Sequence, residues 1–539
     1  MDCASSNCTV VAASQDGGAE LATRGILLSD PPAGWFKPVD QWSGSHDSRI
    51  GLALSCVFVT QIAVALAVPV LAEEAYHWNY ARHLDFGYYD HPPMVAWAIA
   101  LGRLVFGDTR LGIRFIPLLF SLGATWLVAK LAQRIYGASA GRWAVFLYAL
   151  QPAAFLVGGW GFPDAPLLFF WALTLTLVWQ ALETAKSWCW MAAGAALGGG
   201  MLSKYTTAFL VPSVLSYLLC SKRDRRWLAT PWPYVAGVCS LIVFAPVIYW
   251  NWAHDWVSLK FQGTARFQAA NGISIGDGLG SIAEQWFFIL PLTLPLAIGV
   301  IRRLASSARL ADHFLFWSFA PTAVFFSLMG FTPSFHLLWP LPAYLGLTVA
   351  MAGSLVSPAQ GMARFYQARW RWLAGIAATF ALAVGLHAQG LLPGLPPLRE
   401  MHGWAEAAQR CRTLRSTLPE GSFYLTAGGR PYVPPGQLAF QLEEPFQVYG
   451  QNLIGREALQ YRFWADPRQL EGKDAVVVVH GGDPEGAAAT VLRSFFQTVE
   501  PAGDLTIPLG HMALGSRTTE RFTFYVAHGY RLASTAGQK

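Results

Sequence analysis

The stretch "EEAYHWNYARHLDFGYYDHPP", residues 73–93, follows directly on the apolar run "GLALSCVFVTQIAVALAVPVLA", residues 51–72. The apolar run is long enough to cross a bilayer, because a spanning helix needs about 20 mostly apolar residues. The stretch after it carries paired carboxylates, histidines and aromatic side chains, and ionisable groups near membrane depth are costly unless they are paired or functional. We therefore expect a chain that crosses a membrane and presents a functional loop where it leaves.

The composition is that of a membrane protein. Of 539 residues, 54% are hydrophobic and 13% are charged, and the mean hydropathy is +0.35, whereas a soluble chain carries about 25% charged residues. Apolar runs recur from residue 51 to about 392 and predict an α-helical polytopic membrane protein with about eleven spans. The seven cysteines are scattered without zinc-site spacing, so no disulfide or zinc site is predicted from them.

The net charge of +6 does not indicate a nucleic-acid partner, since the sequence has no compact basic surface with interleaved aromatic residues. In a membrane chain, Lys and Arg gather in short cytoplasmic loops. Four loops are plainly basic and are expected inside, namely 130–142, 221–226, 301–309 and 364–371.

The run "PPMVAWAIALGRLVFG", residues 92–107, decides the predicted topology. It is short for a span and is interrupted by Arg103. If it lies along the outer surface, alternation from a cytoplasmic N-terminus puts all four basic loops inside and the chain after residue 392 outside. If it crosses, the basic loops flip outside. The surface alternative is therefore our expectation.

Three regions are predicted. Residues 1–49, rich in Gly, Ser and Asp and without a cleavable signal pattern, should form a flexible cytoplasmic tail. Residues 50–392 should form the transmembrane domain, with an outer loop over 73–114. The Pro-rich "LLPGLPPL" (391–398) leads into residues 393–539, which predict a small soluble α/β domain on the outer side. Its strand-like segments are 422–428, 474–482 and 521–531, and its helix-like segment is 486–497.

Under this topology, ionisable residues at the mouths of several spans fall on one side of the membrane. Any one of them could be a side chain that reaches up to the interface. Both charge signs recur, however, which is how a site between helices is built. The aromatic residues of the first loop, Tyr88 and Tyr89 among them, fit either an interfacial belt or a platform for a sugar. The ionisable residues are Glu73, Glu74, Asp90, His91, Asp164, Lys204, His254, Asp255 and His336.

Four motifs in this order resemble those of bacterial membrane glycosyltransferases related to the aminoarabinose transferase of lipid A. They are "EEAYHWNYARHLDFGYYDHPPMVAW", "PDAPLLFFWALTL", "MLSKYTTAFLVP" and "LLWPLPAYL". The wider group includes the dolichyl-phosphate-mannose protein mannosyltransferases and the rhizobial galacturonosyltransferases of lipopolysaccharide core. The resemblance covers about residues 50–355 and implies the C-type glycosyltransferase fold, whose outer first loop carries interfacial helices.

The resemblance implies a donor sugar joined through phosphate to a polyprenyl chain, transferred with inversion at the outer face of the bacterial inner membrane. The acceptor would be lipid A, lipopolysaccharide core, another envelope glycan or lipid, or a protein. Two departures stand out. Members of the family usually begin the first motif with Asp-Glu, where this chain has Glu73-Glu74. His91 stands where the aminoarabinose enzymes tend to have Lys.

The implied chemistry needs a carboxylate to accept the proton of the nucleophile and cations to stabilise the departing lipid phosphate. Glu73 is the predicted general base, and Glu74 is the alternative candidate for this role. Asp164 would orient the acceptor or share the base role. The predicted phosphate-binding residues are Lys204, His91 and Arg82, and the predicted substrate-binding residues are Asp90, Tyr88, Tyr89, His254 and His336.

We expect no obligatory metal, because the Asp-x-Asp pair of many nucleotide-sugar enzymes does not occur in the sequence. Asp90 with His254 could still hold a divalent ion. The alternative functions are a membrane transporter, which would be expected to show internal repeats and helices broken at mid-membrane, and a structural membrane protein. No convincing repeat is found, and the charges gather at one face.

Overall fold

The computed structural model describes residues 48–265, 272–332, 338–356, 362–388, 401–444, 447–511 and 517–532. The predicted cytoplasmic tail lies outside these ranges except for its last two residues, and the Pro-rich segment 391–398 lies wholly outside. The flexible tail therefore stays a prediction.

The chain up to residue 388 is helical, as its apolar runs predict. Two helices start at side-chain caps: Thr109 accepts a hydrogen bond from the backbone N–H of Gly112 at 3.1 Å, and Ser274 does the same for Asp277 at 3.2 Å. The helices are α1 (Ser48–Ala67), α2 (Ala72–Arg82), α3 (Met94–Phe106), α4 (Arg110–Tyr136), α5 (Ala138–Ala149), α6 (Pro152–Gly158), α7 (Asp164–Thr184), α8 (Trp188–Ser203), α9 (Leu210–Cys220), α10 (Trp232–Ala253), α11 (Val257–Lys260), α12 (Ile275–Ile289), α13 (Leu294–Ser306), α14 (Leu310–Met329), α15 (Tyr344–Ser354) and α16 (Met362–Ala388).

Four helices, α1, α4, α7 and α10, are long and apolar enough to cross a membrane. Helices α5 and α6 would together make a fifth span, but they are bent by 81°. Pro152 opens α6 at this bend, and proline lacks the N–H that would continue the helix of α5. Helices α3, α9 and α15 are apolar but shorter. Within the described residues, the predicted number of about eleven spans is therefore not confirmed.

Helices α8 and α10 approach each other closely through glycine. A Cβ atom on Gly198 would lie 2.6 Å from Cβ of Val243, and one on Gly194 would meet the carbonyl of Ala236. Small residues at such a crossing let two backbones come within van der Waals contact. This close packing holds the C-terminal end of α8, where Lys204 follows, in a fixed position.

Helix α3 corresponds to the run whose placement decides the predicted topology. It has 13 residues and is therefore about 20 Å long, against a hydrocarbon core of about 30 Å. Val95 and Ile99 on one face are fully buried, whereas Leu104 and Val105 near its end are 83% and 70% exposed. A short helix with one buried and one exposed apolar face favours the predicted surface position.

The C-terminal region contains a mixed five-stranded sheet of order β2-β1-β3-β5-β4. Strands β1, β2 and β3 are parallel, and β5 runs antiparallel to both β3 and β4. The α/β character predicted for this region is confirmed. Its elements are α17 (Trp404–Arg415), β1 (Phe423–Ala427), α18 (Val433–Leu442), β2 (Val448–Tyr449), α19 (Tyr461–Trp464), β3 (Ala475–His480), α20 (Ala487–Leu492), β4 (Phe496–His511) and β5 (Arg517–Tyr530).

One boundary in this region was predicted wrongly. The helix expected over 486–497 ends at Leu492, and Phe496 begins β4 instead. Phe496 pairs with Tyr530 in the sheet, and their rings lie 5.3 Å apart. A cross-strand aromatic pair of this kind stabilises a strand, which local sequence pattern did not reveal.

The C-terminal domain packs directly on the outer loop of the membrane domain. One hydrophobic core includes Trp78 of α2, Val95 of α3, Leu438 of α18 and Val476 of β3. The rings of Trp78 and Phe440 meet edge to face at 5.3 Å. Because this core is shared, the domain covers α2, the helix that carries Glu73 and Glu74.

Candidate active site

A buried ion pair fixes the start of the outer loop. Glu74 of α2 and Arg114 of α4 both have side chains with 0% exposure, and Nε of Arg114 donates to Oε1 of Glu74 at 2.7 Å. The guanidinium also donates to three carbonyls at the end of α1, those of Ala65, Val68 and Pro69. Arg114 thus satisfies the exposed carbonyls of a helix C-terminus and ties α1, α2 and α4 together.

The remaining acceptor capacity of Glu74 is used by backbone groups. Oε2 accepts from the N–H of Leu71 at 2.9 Å, and Oε1 accepts from the N–H of Gly161 at 2.8 Å. Gly161 precedes α7, so Glu74 also joins the first loop to the helix that carries Asp164. With both oxygens bound in this way, Glu74 has a structural role. This geometry does not favour its predicted role as the alternative general base.

Glu73, one position earlier, faces a different environment. Its carboxylate is half-buried and makes no hydrogen bond or ion pair with the residues that the structure describes. The pKa of Glu73 is raised to about 7, first by burial and then by the negative charge of Asp164; Lys204 and Arg430 lower it, and Asp90 adds to the rise. A carboxylate whose pKa lies near neutral pH is suited to accept a proton in catalysis.

Asp164 and Lys204 form an ion pair beside Glu73. Nζ of Lys204 lies 2.8 Å from Oδ1 of Asp164, and the two side chains are 12% and 4% exposed. Asp164 is the first residue of α7, where a negative charge interacts favourably with the helix dipole. Lys204 follows α8 in an extended conformation, which ends the helix there. The structure therefore brings together Glu73, Asp164 and Lys204 from three different helices.

Asp90 is the centre of a hydrogen-bonded aromatic cluster. It is 6% exposed, and its Oδ1 accepts from the hydroxyls of Tyr76, at 3.2 Å, and Tyr80. Its backbone carbonyl accepts from Nε2 of Gln262 at 2.5 Å. Burial raises the pKa of both tyrosines, and the Asp90 charge raises it further, so their hydroxyls stay protonated and act as donors. Asp90 therefore stiffens the loop and adds negative charge near Glu73.

His91 lies between this cluster and a second histidine. Its Nε2 is 4.0 Å from Oδ2 of Asp90, and its ring lies 5.4 Å from that of His77. His77 is 1% exposed, its Nδ1 is 2.9 Å from the carbonyl of Gly161, and its pKa is lowered to about 4 by burial and then by His91. His77 is thus neutral at pH 7 and occupies the same face of α2 as Glu73, four residues away.

The C-terminal domain contributes a cation to the site. Arg430, which follows β1, lies close enough to Glu73 to lower its pKa. Its Nη1 donates to the hydroxyl of Tyr432 at 3.2 Å, and the Tyr432 ring lies 5.2 Å from that of Tyr76. A Cβ on Gly436 would come within 3.1 Å of the backbone nitrogen of Tyr76, so glycine at this position favours the close approach of α18 to α2.

Further hydrogen bonds from the domain hold the aromatic cluster. Tyr461 accepts from Nδ2 of Asn79 at 3.0 Å, while Gln460 donates its N–H to the hydroxyl of Tyr76 at 3.2 Å and accepts from the N–H of Tyr89 at 2.7 Å. These bonds connect residues more than 370 positions apart in the chain. The position of the first loop therefore depends on the C-terminal domain.

Arg82 does not join the site, in contrast to its predicted phosphate-binding role. It lies nine residues after Glu73 on α2, which is about 13 Å along the helix axis. Its Nη1 is 3.3 Å from Oδ2 of Asp108, which also binds Arg103 and accepts from Nε1 of Trp78 at 2.6 Å. Arg82 is thus part of an ion-pair cluster at the far end of the helix.

Of three further predicted substrate-binding residues, two make structural contacts and one lies outside the described residues. Tyr88 is fully buried and stacks on Tyr80 at 3.9 Å, which is a structural contact. His254 stacks on Trp250 at 4.1 Å at the end of α10. His336 lies outside the described residues. Tyr89 packs 4.8 Å from Phe261 at the edge of the cluster and keeps its predicted role as a hypothesis.

Metal binding is not indicated by the side chains that the structure places. Among the described residues, no group of three or more His, Cys, Asp or Glu side chains is arranged to hold a metal ion. Oδ1 of Asp90 accepts from two tyrosines, and Nδ1 of His254 lies 2.8 Å from the carbonyl of Trp250, so these atoms of the predicted alternative pair are already engaged. Independence from metal remains an expectation.

Three residues of the site were not identified from sequence patterns. Arg114 and Arg430 carry no local signal, because their partners are 40 and more than 300 residues away. His77 could have been found, since it lies four residues after Glu73 within a helical stretch and therefore on the same face.

Comparison with known proteins agrees with the predicted resemblance. A family model described as dolichyl-phosphate-mannose-protein mannosyltransferase matches residues 90–250. The lipid A galacturonosyltransferase RgtD of Rhizobium johnstonii is 26% identical over 306 residues, which is 56% of this chain and 64% of that protein. An undecaprenyl phosphate-alpha-4-amino-4-deoxy-L-arabinose arabinosyl transferase of Pseudomonas aeruginosa is 27% identical over 301 residues, which is 52% of each. The chain thus spans between half and two thirds of the length of these curated relatives.

Solved structures show the fold. ArnT from Cupriavidus metallidurans bound to undecaprenyl phosphate matches with a TM-score of 0.62 and 16% identity, covering 92% of this chain and 100% of that one. The same protein in the apo state matches with a TM-score of 0.56 and 17% identity, covering 88% and 98%. The predicted C-type glycosyltransferase fold and the resemblance to membrane glycosyltransferases are confirmed. These relatives give no support to the transporter alternative.

Proposed function

We propose that this chain, as a relative of membrane glycosyltransferases, transfers a sugar from a polyprenyl-phosphate donor to an envelope acceptor, with inversion at the anomeric carbon. The observation that carries the proposal is the position of Glu73. Its carboxylate has a pKa near 7 and lies beside the Asp164–Lys204 pair at the junction of the first loop and the C-terminal domain.

In the proposed reaction, a hydroxyl or amine of the acceptor attacks the anomeric carbon of the donor. Glu73 accepts the proton of the nucleophile as the new bond forms, and the bond between the anomeric carbon and the phosphate oxygen breaks. The bonding electrons leave with the polyprenyl phosphate. Lys204 and Arg430 stabilise the negative charge that develops on this phosphate. No step requires a metal, since a monophosphate leaving group has less charge to neutralise than a nucleotide diphosphate.

Asp164 keeps Lys204 in place before the donor arrives. Because the ion pair is nearly buried, Lys204 is held with its ammonium directed at the site and loses little conformational freedom when it shifts toward a phosphate. Asp164 then remains beside Glu73 and raises its basicity. His91, next to Asp90, gives a second, conditional positive charge when it is protonated.

The acceptor favoured by this proposal is lipid A. The curated relatives include a lipid A galacturonosyltransferase, and the donor named for the Pseudomonas aeruginosa relative is an undecaprenyl phosphate sugar. A uronic acid donor calls for a cation beyond Lys204 and Arg430, which serve the phosphate in the proposed reaction, so these two charges do not select among the possible sugars. The identity of the sugar is left to experiment.

The reaction is proposed to take place at the periplasmic face of the inner membrane, with the C-terminal domain on the same side. A reporter that is active only outside the cytoplasm should be active when it is fused after residue 400 and silent when it is fused after residue 226. The opposite pattern would contradict the proposed periplasmic orientation. It would not decide whether the protein transfers a sugar.

The donor class is tested with purified protein. Incubation with a panel of polyprenyl-phosphate sugars and of nucleotide sugars, each with lipid A, is followed by mass spectrometry of released polyprenyl phosphate and of modified lipid A. We expect turnover with at least one lipid-linked sugar and none with nucleotide sugars. Efficient use of a nucleotide sugar would overturn the proposed donor class.

A further inference from the structure

A buried glutamine of the C-terminal domain reaches into the aromatic cluster around Asp90. Gln460 lies in the loop between β2 and α19, directly before Tyr461, and is 2% exposed. Its backbone N–H donates to the hydroxyl of Tyr76 at 3.2 Å, and its Oε1 accepts from the N–H of Tyr89 at 2.7 Å. A single residue of the domain thus holds both α2 and the segment between α2 and α3.

Both hydrogen bonds of Gln460 lead to Asp90. The Tyr76 hydroxyl that accepts from Gln460 donates in turn to Oδ1 of Asp90 at 3.2 Å, and consecutive hydrogen bonds of this kind strengthen one another. Tyr89 is the residue before Asp90 in the chain. Asp90 is 6% exposed, and a buried carboxylate depends on its hydrogen-bond donors. Gln460 therefore holds Asp90 from two directions, through a side chain and through the backbone.

The loop takes up an unfavourable backbone conformation directly before Gln460. Leu459 has a φ of 47°, which lies in the left-handed region that residues with a Cβ rarely adopt. Such conformations persist only where the surrounding structure holds them, and they gather at functional sites. The N–H of Leu459 donates to Oε1 of Glu457 at 2.9 Å, and its side chain packs on the tyrosine cluster. The strained turn is consistent with a functional demand on the position of Gln460.

Asp90 lies about one helical turn from Glu73. Tyr76, which binds Asp90, follows Glu73 by three positions on α2, and residues three apart are neighbours on one face of a helix. Burial is the largest cause of the raised pKa of Glu73, and the negative charge of Asp90 adds to the rise. The other charged groups that act on Glu73 are Asp164 of α7, Lys204 after α8 and Arg430 of the C-terminal domain. The titratable groups near Asp90 are Tyr76, His77 and Tyr80 of α2, Tyr89 and His91 beside it, and Tyr205 after α8.

We propose that Gln460 is a positioning residue for the general base. It holds Asp90 at a fixed distance from Glu73, so that the C-terminal domain, together with the first loop, determines how readily Glu73 accepts the proton of the nucleophile. Tyr80 and Gln262 also bind Asp90, so loss of Gln460 weakens this arrangement without abolishing it. The inference rests on the proposed role of Glu73 and adds to it a residue of another domain.

The first measurement does not require enzymatic activity. A water-soluble carbodiimide reacts with protonated carboxyl groups, so the labelling of Glu73 as a function of pH, located by peptide mass spectrometry, reports its pKa. Gln460→Met keeps a side chain of similar length but removes the acceptor for Tyr89. We expect the labelling curve to shift to lower pH, because a less constrained Asp90 contributes less negative charge at Glu73. The shift should be smaller than that of Asp164→Asn, since Asp164 raises the pKa of Glu73 more.

The second measurement is turnover with the lipid-linked sugar that the unaltered protein uses. Gln460→Met should lower kcat about tenfold, within the range of about 5–150-fold that corresponds to a buried N–H left without its acceptor. KM should change little, because the two hydrogen bonds of Gln460 involve neither Lys204 nor Arg430. Thermal unfolding in detergent checks that the variant is folded.

A double variant shows whether Gln460 acts through Asp90. Asp90→Asn alone should shift the labelling curve of Glu73 to lower pH, and adding Gln460→Met to it should cause no further shift. Tyr76→Phe removes the hydroxyl that connects Gln460 to Asp90 and should shift the curve in the same direction as Gln460→Met. It provides the test by a second route if Gln460→Met is unstable.

Another glutamine at the same domain interface gives a matched control. Gln437 is 1% exposed, and its Nε2 donates to the carbonyl of Val70 at 3.0 Å. It therefore also joins the C-terminal domain to the outer loop, but by a bond outside the cluster around Asp90. Gln437→Met should lower the unfolding temperature as Gln460→Met does and should leave the labelling curve of Glu73 unchanged.

Three outcomes would overturn the inference. An unshifted curve in both Gln460→Met and Tyr76→Phe would remove the link to Glu73, and a shift by Gln460→Met that persists in full beside Asp90→Asn would remove the role of Asp90. An equal shift in Gln437→Met would reduce Gln460 to general support of the interface. If the unaltered protein turns over no lipid-linked sugar, the proposed function fails, while the labelling experiment still decides whether Gln460 positions Glu73.

Discussion

Glu73 and Glu74 are consecutive residues of one helix, yet their carboxylates face opposite environments. Successive positions of an α-helix differ by about 100° around its axis. Glu74 turns into the bundle and is bound by Arg114 and two backbone N–H groups, whereas Glu73 faces Asp164 and Lys204. Glu74 thus anchors the loop while the chemistry is proposed for Glu73, and each role can be tested separately.

Glu73→Gln should abolish sugar transfer while the protein still folds. An amide cannot accept the proton of the nucleophile, and loss of a general base costs about 10²–10⁴-fold in rate. The measurement is kcat/KM for polyprenyl phosphate release, with thermal unfolding in detergent as the control. Near-normal turnover of Glu73→Gln together with an inactive Asp164→Asn would assign the base to Asp164.

Glu74→Gln should act mainly on stability. The change leaves the buried guanidinium of Arg114 without a counter-charge, and removing one partner of a buried ion pair costs about 3–5 kcal/mol. We expect a clear fall in the unfolding temperature relative to Glu73→Gln, which serves as the matched control one residue away. A Glu74→Gln protein of unchanged stability but without activity would argue for a catalytic role of Glu74.

The pH dependence of kcat/KM should report the ionisation of Glu73. Because the base must be ionised and burial raises its pKa to about 7, activity should rise tenfold per pH unit below about 7 and level off above it. Asp164→Asn removes a negative neighbour and should shift this limb to lower pH, while Lys204→Ala removes a positive neighbour and should shift it to higher pH. Shifts of the same sign in both variants would show that another group titrates.

Arg430 should matter for turnover although it belongs to the C-terminal domain. Arg430→Ala removes one charged contact to the leaving phosphate, and a hydrogen bond to a charged group contributes about 1.5–3 kcal/mol, so we expect a loss of about 10–150-fold in kcat/KM. Arg430→Lys should recover part of it. Arg456, exposed on the same domain, gives the control Arg456→Ala, which should behave like the unaltered protein.

Chelation should leave the activity unchanged. Within the described residues, no group of three or more His, Cys, Asp or Glu side chains is arranged to hold an ion, and in the proposed reaction Lys204 and Arg430 supply the positive charge that a metal would otherwise provide. We expect equal initial rates with and without EDTA, measured by release of polyprenyl phosphate. A loss of activity that added Mg²⁺ or Mn²⁺ restores would show that a metal takes part.

Local sequence determined the helical membrane class, the polar first loop and three strands of the C-terminal domain, β1, β3 and β5. These features follow from patterns of neighbouring residues, such as the long apolar run 51–72 and the buried β-branched run of β3. The motifs also indicated Glu73, Asp164 and Lys204 as candidate site residues, since ionisable groups near membrane depth are costly unless they are paired or functional.

The tertiary structure decided which of the candidate charges act together. Only the crossing of α4 with α2 gives Glu74 its partner Arg114, only the length of α2 separates Arg82 from Glu73, and only the packing of α18 on α2 brings Arg430 to the loop. Electrostatic interactions depend on distance and burial in space, which the spacing of residues along the chain does not encode.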